Sequence, residues 1–354
     1  MIGFLKRIGR NLPVLRDIHR YILALEKERE ALKAEIAASR QQLVEEAGRR
    51  EREVAAAARQ EREAAQKEID ELKEDRRRNW TWVPVGDSRS PIPNTKELEP
   101  REAELFDKVP AELPGIEMYP DEQLALLKEL KKFWLDAPYK PEKTDGMRYA
   151  GDNPDFSMGD ALVLYGMMRK MKPRKVVEIG SGYSTAAVLD ANEVTFGKNI
   201  AVTVLDRDPH LLRSLMKKED VEKTKILKQP LHEVPIEVFT AMTQGDLLLV
   251  ETSHVVKTGS DVLNVVFRIL PRLKLGTIVH VSGVYYPFEN PRGWVFDGRA
   301  TNETYLWRAF FQNNAQFEIL FFGSFLEQFH RAALDKDFPR YGKSRTGGLW
   351  FRKK

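Results

Sequence analysis

The chain has 354 residues, with 57 Lys and Arg against 53 Asp and Glu for a formal net charge of +4, and no cysteine. That length exceeds one average domain and suits a globular unit joined to an extended element. The near-balanced charge is not that of a strongly basic nucleic-acid-binding domain, and the lack of cysteine excludes disulfides, thiolate metal sites and cysteine nucleophiles, as expected of a reducing, cytoplasmic setting. No apolar run reaches the ~20 residues that span a bilayer, and the N-terminus lacks the apolar core and cleavage site of a secretory signal.

Residues 1–14 alternate Ile2, Phe4, Leu5 and Ile8 with Lys6, Arg7 and Arg10, a short basic amphipathic pattern. Two readings stay open for it: peripheral contact with an anionic membrane surface, or a segment folded back on the helix that follows. Residues 15–78 read as a coiled coil. Between 15 and 72 there is no proline and one glycine, Gly48, in a background of Glu, Lys, Arg, Gln and Ala, which is helix composition. Leu15, Ile18, Ile22, Leu25, Leu32, Ile36 and Leu43 follow a three-four spacing and form one heptad seam. Beyond them the seam thins to Ala47, Val54, Ala57, Ala64, Ile69 and Leu72, interrupted by Arg50 and Glu61. A lone helix of this kind has too little apolar surface to be stable, so the spacing predicts a homo-oligomer; a solvated helix held by i,i+4 charge pairs is the alternative.

Residues 79–145 change character. Trp80 and Trp82 are followed by Pro84, Pro91, Pro93, Pro100, Pro110 and Pro114, which break long elements and predict a connector with some helix, notably over 121–134. From 146 onward helix and strand alternate. A helix is expected over 159–171, then apolar runs at 175–179, 200–206, 224–229, 246–252, 277–282, 317–322 and 348–353. Helical stretches separate the first five, which predicts buried parallel strands of a doubly wound α/β sheet; the last two lack a clear helix between them and predict an antiparallel hairpin at the sheet edge.

Glu178-Ile179-Gly180-Ser181-Gly182-Tyr183-Ser184-Thr185 carries the strongest chemical signal. A strand ending in Gly-x-Gly and opening into a helix lets the backbone approach a ligand closely and points free N–H groups at it. Glu178 suits the cationic amino-acid end of S-adenosylmethionine (SAM) and would face a pyrophosphate unfavourably, while Thr185 stands where a dinucleotide fingerprint has Gly or Ala. The next strand ends at Asp206, placed to accept hydrogen bonds from ribose hydroxyls. A helix N-cap accounts for Ser184 but not for Glu178.

With those residues in place, the stretch from Tyr149 onward resembles the class I SAM-dependent methyltransferases, in particular a bacterial branch associated with glycan or secondary-metabolite O-methylation. The matching segments are YAGDNPDFSMGDALVLYGMMRKMKPRKVVEIGSGYST, GDLLLVETSHVVKTGSDV, ILPRLKLGTIVHVSGVYYPFENPRGWV and NETYLWRAFF. The resemblance implies a Rossmann-like seven-stranded sheet over 146–354, preceded by the coiled coil. It implies SAM as cofactor, with Glu178, Gly180, Ser181, Gly182 and Ser184 around it, Asp206 on its ribose, and Gln229 and Leu231 along its adenine. Transfer to a hydroxyl of a sugar or glycan acceptor is the activity implied.

Two positions depart from that family. Where its members usually carry Asp after strand four, this chain has Glu251 in Val250-Glu251-Thr252-Ser253-His254; where they carry His-Asp after strand five, it has Ser282-Gly283. The second change removes an acid and a base together, so a divalent metal is not favoured, while a site built from Glu251, His254 and His280 stays open as the alternative. His254 is expected as the general base with Glu251 beside it; a buried histidine or helix cap is the plainer alternative for His254. Tyr285, Tyr286, Arg292 and Trp294, in the loop expected over the sheet's mouth, are expected to hold the acceptor. Asn302 and Glu303 read as a helix cap. A nucleic-acid acceptor is not expected, since there is no Asn-Pro-Pro-Tyr-like motif. The rival reading is a non-catalytic SAM-fold module on a coiled-coil scaffold.

Overall fold

The structure, a computed structural model, describes residues 13–78, 83–337 and 346–354. It divides into two compact units, Met1–Trp82 and Val83–Lys354. The described part of the first unit is one helix, α1, Pro13–Arg78, 66 residues without a break. At ~1.5 Å per residue such a helix is about 100 Å long. Its seam residues Ile18, Ile22, Leu25, Leu32, Ile36 and Leu43 are each at least 46% exposed. The i,i+4 pairs Arg50–Glu46 and Arg59–Glu63 lie on its surface and contribute little each. The basic amphipathic stretch read over 1–14 falls almost wholly outside the described residues. No helix among the described residues is long and apolar enough to cross a membrane.

In the second unit, helix α2, Pro120–Trp134, packs on helix α3, Met158–Met171. The sheet strands are β1 Lys175–Ile179, β2 Ala201–Leu205, β3 Lys225–Leu227, β4 Leu247–Val250, β5 Ile278–Ser282, β6 Phe317–Phe322 and β7 Gly348–Lys353. Their order is β3-β2-β1-β4-β5-β7-β6. The first five are parallel, and β7 runs antiparallel to both β5 and β6. Helix α4, Tyr183–Phe196, follows β1. All four residues of β4 are buried, and Val176, Val177 and Ile179 of β1 are buried with them. Such continuous apolar runs are what a parallel strand covered on both faces requires.

Two expectations need revision. The prolines between 79 and 145 do interrupt helices, but the segment from Val83 belongs to the compact unit. Leu113, Ile116, Met118, Leu126, Leu127, Leu130 and Trp134 all enter the core, because short apolar segments between breaks still reach it. Gly166 of α3 allows the close approach of α2: a Cβ there would lie 3.1 Å from Leu130 and 3.2 Å from the Trp134 indole. The last two strands do pair antiparallel, but they are not a hairpin. Helices α5, Gly323–Phe329, and α6, Arg331–Asp337, lie between them, and β7 inserts inside β6, leaving β6 at the edge. Phe325 and Leu326 of α5 bury in the core, an apolar pair too short to show helical periodicity in sequence.

The chain leading into α3 is pinned by a buried charge cluster. Arg148, 1% exposed, pairs with Asp190 of α4 at 2.8 Å, Asp220 at 2.6 Å and Glu193 at 2.7 Å. Three carboxylates around one guanidinium, with good geometry, offset its desolvation and fix this segment against α4.

Candidate functional site

The strand order reverses between β1 and β4, since the chain runs outward through β2 and β3 and then crosses back. In an open α/β sheet the crevice beyond the strand ends at such a point is where ligands bind. Gly180 and Glu251 stand there. Gly180 has φ +84°, and a Cβ on it would lie 2.5 Å from the Glu251 carbonyl oxygen and 2.8 Å from its Cβ, so only glycine fits the turn. Glu251 in turn donates its N–H to Ile179 O at 2.8 Å, tying the two strand ends together.

Glu178 is fully buried. Its Oε1 accepts a short hydrogen bond from Ser184 Oγ, and its Oε2 is buried without a partner. Burial pushes this carboxyl up to about 7 against the pull of the Ser184 and Thr185 hydroxyls, and the charge of Asp206 adds to the rise. Asp206 follows β2, partly exposed, and accepts from Ser181 Oγ and from Asp208 N at 2.9 Å.

A cleft of about 490 Å³ opens beside this turn. One wall is the segment from Asn153 to Asp160; the others bring Ser181 to Ser184, Glu251, His254, Ser282, Gly283, Tyr285 and Trp294. Two further carboxyls on it are held in the neutral range. Burial raises Glu251 to about 8, with the Ser282 hydroxyl and His254 opposing and Glu178 and Asp160 adding to the rise. Burial also raises Asp160 to about 7, against hydrogen bonds from Ser157 at 2.8 Å and Gly347 N at 3.1 Å. Oε1 of Glu251 is buried and has no hydrogen-bond partner. An acidic, partly desolvated cleft of this kind favours a cationic ligand, whose charge would let the carboxyls ionise.

His254 sits in the loop after β4 with φ +57°. Its Nδ1 makes a short hydrogen bond to Oε1 of Glu303, the first residue of helix α8, Glu303–Phe311; α7 is the short helix Arg292–Phe296 before it. Burial lowers the imidazole's basicity, but the hydrogen bond and charge of Glu303, with Glu251 and Asp261 beyond, raise it above the ordinary histidine value. The ring lies 6.3 Å from Trp294, which meets Tyr285 edge-on at 5.7 Å and carries the Arg299 guanidinium over its face at 5.1 Å.

Ser181, Gly182, Ser184, Glu251, His254, Tyr285 and Trp294 therefore come together on one cleft, with Glu178 and Gly180 behind the glycine turn and Asp206 bound to Ser181. Five other candidates do not line it. Tyr286 is a core residue: its hydroxyl donates to Pro110 O at 2.7 Å, its N–H donates to Ser324 Oγ at 2.9 Å, and its ring packs on Phe322, Phe325 and Phe329. Arg292 forms a two-pronged pair with Glu102 at 2.6 and 3.0 Å and stacks on Phe296. Gln229 donates to Glu233 O at 2.9 Å, and Leu231 packs against the core while its carbonyl accepts from Arg268 at 3.0 Å. His280 lies inside β5 against Trp350, 4.5 Å between rings, and burial drives it down to about 3. Among the described residues no three His, Asp or Glu side chains form a metal-binding group, Glu251, His254 and His280 included. Sequence reasoning missed Asp160 and Glu303 as site residues. Asp160 had a local signal, since Ser157 and Asp160 have N-cap and N3 spacing; Glu303 had only its place at a helix start.

No family model matches the chain. An uncharacterized protein of Archaeoglobus fulgidus is 29% identical over 167 residues, 46% of this chain and 74% of that one. Among solved structures, the chain is similar to the S-adenosylhomocysteine-bound methyltransferase PaMTH1 of Podospora anserina, with a TM-score of 0.35 and 15% identity over 77% of this chain and 99% of that one. It is also similar to an O-methyltransferase of Bacillus cereus in complex with S-adenosylhomocysteine, with a TM-score of 0.35 and 12% identity over 65% of this chain and 91% of that one.

Proposed function

We propose that the chain is a SAM-dependent O-methyltransferase. The observation that carries this reading is Glu178: a fully buried carboxyl with an unpartnered oxygen, at the head of the Gly180-Ser181-Gly182 turn where the strand order reverses. A buried acid in that position is costly unless a cation completes it, and the amino group and sulfonium of SAM are cations. The donor set fits the cofactor: Glu178 for its amino-acid end, the backbone at Ser181 and Gly182 for close approach, and Asp206 for its ribose hydroxyls. When bound, SAM supplies an already activated methyl group. The protein's task is then to align the acceptor and take its proton, and His254, on the same cleft, is the residue suited to receive it.

The acceptor proposed is a hydroxyl of a sugar or glycan. Tyr285 and Trp294 offer aromatic faces, and Arg299 and Thr301 offer hydrogen-bonding groups on the same cleft. The exposed seam of α1 supports a homo-oligomeric coiled coil that would gather several such domains. The test is calorimetric titration of SAM and S-adenosylhomocysteine into the full chain, followed by transfer of labelled methyl to a panel of glycans. Binding of both ligands and label on a glycan hydroxyl are expected; no binding at millimolar ligand would overturn the reading. Tight binding without transfer to any acceptor would favour a scaffold instead.

A further inference from the structure

The loop after β4 and the start of α8 are locked together by polar contacts that converge on one imidazole. The His254 carbonyl accepts from Asn302 N at 3.0 Å and Glu303 N at 3.3 Å. Asn302 Oδ1 accepts from Val256 N at 2.6 Å, and Thr252 Oγ1 donates to Glu303 Oε2 at 2.8 Å while accepting from His254 N at 3.2 Å. Glu303 is 2% exposed, and its other oxygen meets His254 Nδ1. Nε2 makes no hydrogen bond to any described residue, and the ring lines the cleft against Gly283.

We propose that Glu303 is the positioning residue for His254: it holds the proton of the neutral ring on Nδ1, so that the lone pair of Nε2 faces the acceptor. This rests on the reading of His254 as the base. A carboxylate on one imidazole nitrogen selects the tautomer and stabilises the imidazolium formed when the other nitrogen takes a proton. The step balances. The acceptor O–H bond breaks and an Nε2–H bond forms; the oxygen pair so freed makes the O–CH₃ bond, and the pair of the broken S–CH₃ bond stays on sulfur. Thr252 holds the far oxygen of Glu303, which leaves the near one aimed at the ring. The other charged groups around the imidazole are Glu251 just after β4, Asp261 at the start of the short helix Asp261–Leu263, and Arg299 across the cleft.

The experiment is ¹⁵N NMR of the full chain labelled at histidine, with His254 assigned by the signals lost in His254→Gln. The neutral ring should be the Nδ1–H tautomer and should titrate above an ordinary histidine. In Glu303→Gln the titration should move to lower pH. With an active acceptor, kcat should fall by about 10²-fold with KM for SAM unchanged, the acidic limb of the pH profile should follow the shifted titration, and Glu303→Asp should recover part of the loss. An Nε2–H tautomer in the wild type, or a His254 titration unmoved by Glu303→Gln, would overturn the proposal. The wild-type spectrum needs no variant to fold. It needs no turnover either, so a protein that shows the expected tautomer yet methylates nothing would refute the methyltransferase reading while leaving the positioning role of Glu303 intact.

Discussion

The imidazole of His254 fills the space that a side chain at Gly283 would need: a β-carbon there would lie 2.7 Å from Cε1 and 3.0 Å from Nδ1 of His254. Gly283 also has φ +71°, which other residues adopt only at a cost. Gly283 is thus the complement of a histidine packed against the backbone. Gly283→Ala should destabilise the chain by about 2 kcal/mol or more, from backbone strain and overpacking together. Gly283→Asp should do the same and should not create metal dependence. Thermal unfolding and the His254 NMR signals check both; an unperturbed His254 resonance in Gly283→Ala would show that the ring does not rest there.

Asp206→Ala should weaken S-adenosylhomocysteine binding by about 1.5–3 kcal/mol, the value of hydrogen bonds to a charged acceptor. Ser181→Ala is the informative companion, because Ser181 already donates to Asp206 and its loss should weaken binding less. Gly180→Val is a poor test of cofactor contact, since a Cβ at 180 collides with Glu251 whether or not a ligand binds. Wild-type affinity in Asp206→Ala would remove that residue from the site.

The parts of this site that could be read from sequence are those built locally. Glu178, Gly180, Ser181, Gly182 and Ser184 lie within one strand-turn-helix unit, so their spacing alone places them together. Tyr286 and Arg292 take partners that no local pattern shows, because they are remote: Pro110 is 176 residues from Tyr286, and Glu102 is 190 from Arg292. No local pattern tells an aromatic in a covering loop from one that turns inward. Glu303 escaped for the same reason, being 49 residues from His254. The order β5-β7-β6 is likewise a long-range fact, since the two last strands look like neighbours in sequence.

The cleft carboxyls make the ligand-free chain sensitive to alkali. Glu178, Asp160 and Glu251 are raised to about 7, 7 and 8. A group whose folded value is raised gives stability that is complete below its unfolded value and lost as pH rises through the folded one. His280, lowered to about 3, acts oppositely, but only below the ordinary histidine value of ~6.5. The unfolding midpoint should therefore fall between pH 6.5 and 8.5, and Glu251→Gln should flatten the decline. SAM should bind more tightly across the same window, since its cations favour the ionised carboxyls. A midpoint that rises over this range would contradict the burial of these groups.

Removing residues 1–78 should lower the mass measured in solution without unfolding the sheet unit, whose core draws on residues from Val83 onward. The exposed Ile and Leu seam of α1 is the reason. Sedimentation of the full chain as a monomer at micromolar concentration would refute the coiled-coil oligomer.

Catalysis should depend on His254 rather than on an added divalent ion. His254 reaches the cleft, is paired through Nδ1 to Glu303, and has beside it Gly283, which offers no side-chain ligand. Alignment of donor and acceptor alone supplies much of the acceleration in methyl transfer. His254→Ala should therefore keep measurable turnover while losing about 10²–10⁴-fold, the usual worth of a general base. Because the imidazole is raised by Glu303, kcat/KM for the wild type should climb with pH through a value above the ordinary histidine range, and this limb should vanish in the variant. Turnover is to be measured with and without chelator for both proteins, after each is shown to bind SAM. Loss of activity on chelation with recovery on adding metal, together with an unaffected His254→Ala variant, would replace this mechanism with a metal-assisted one.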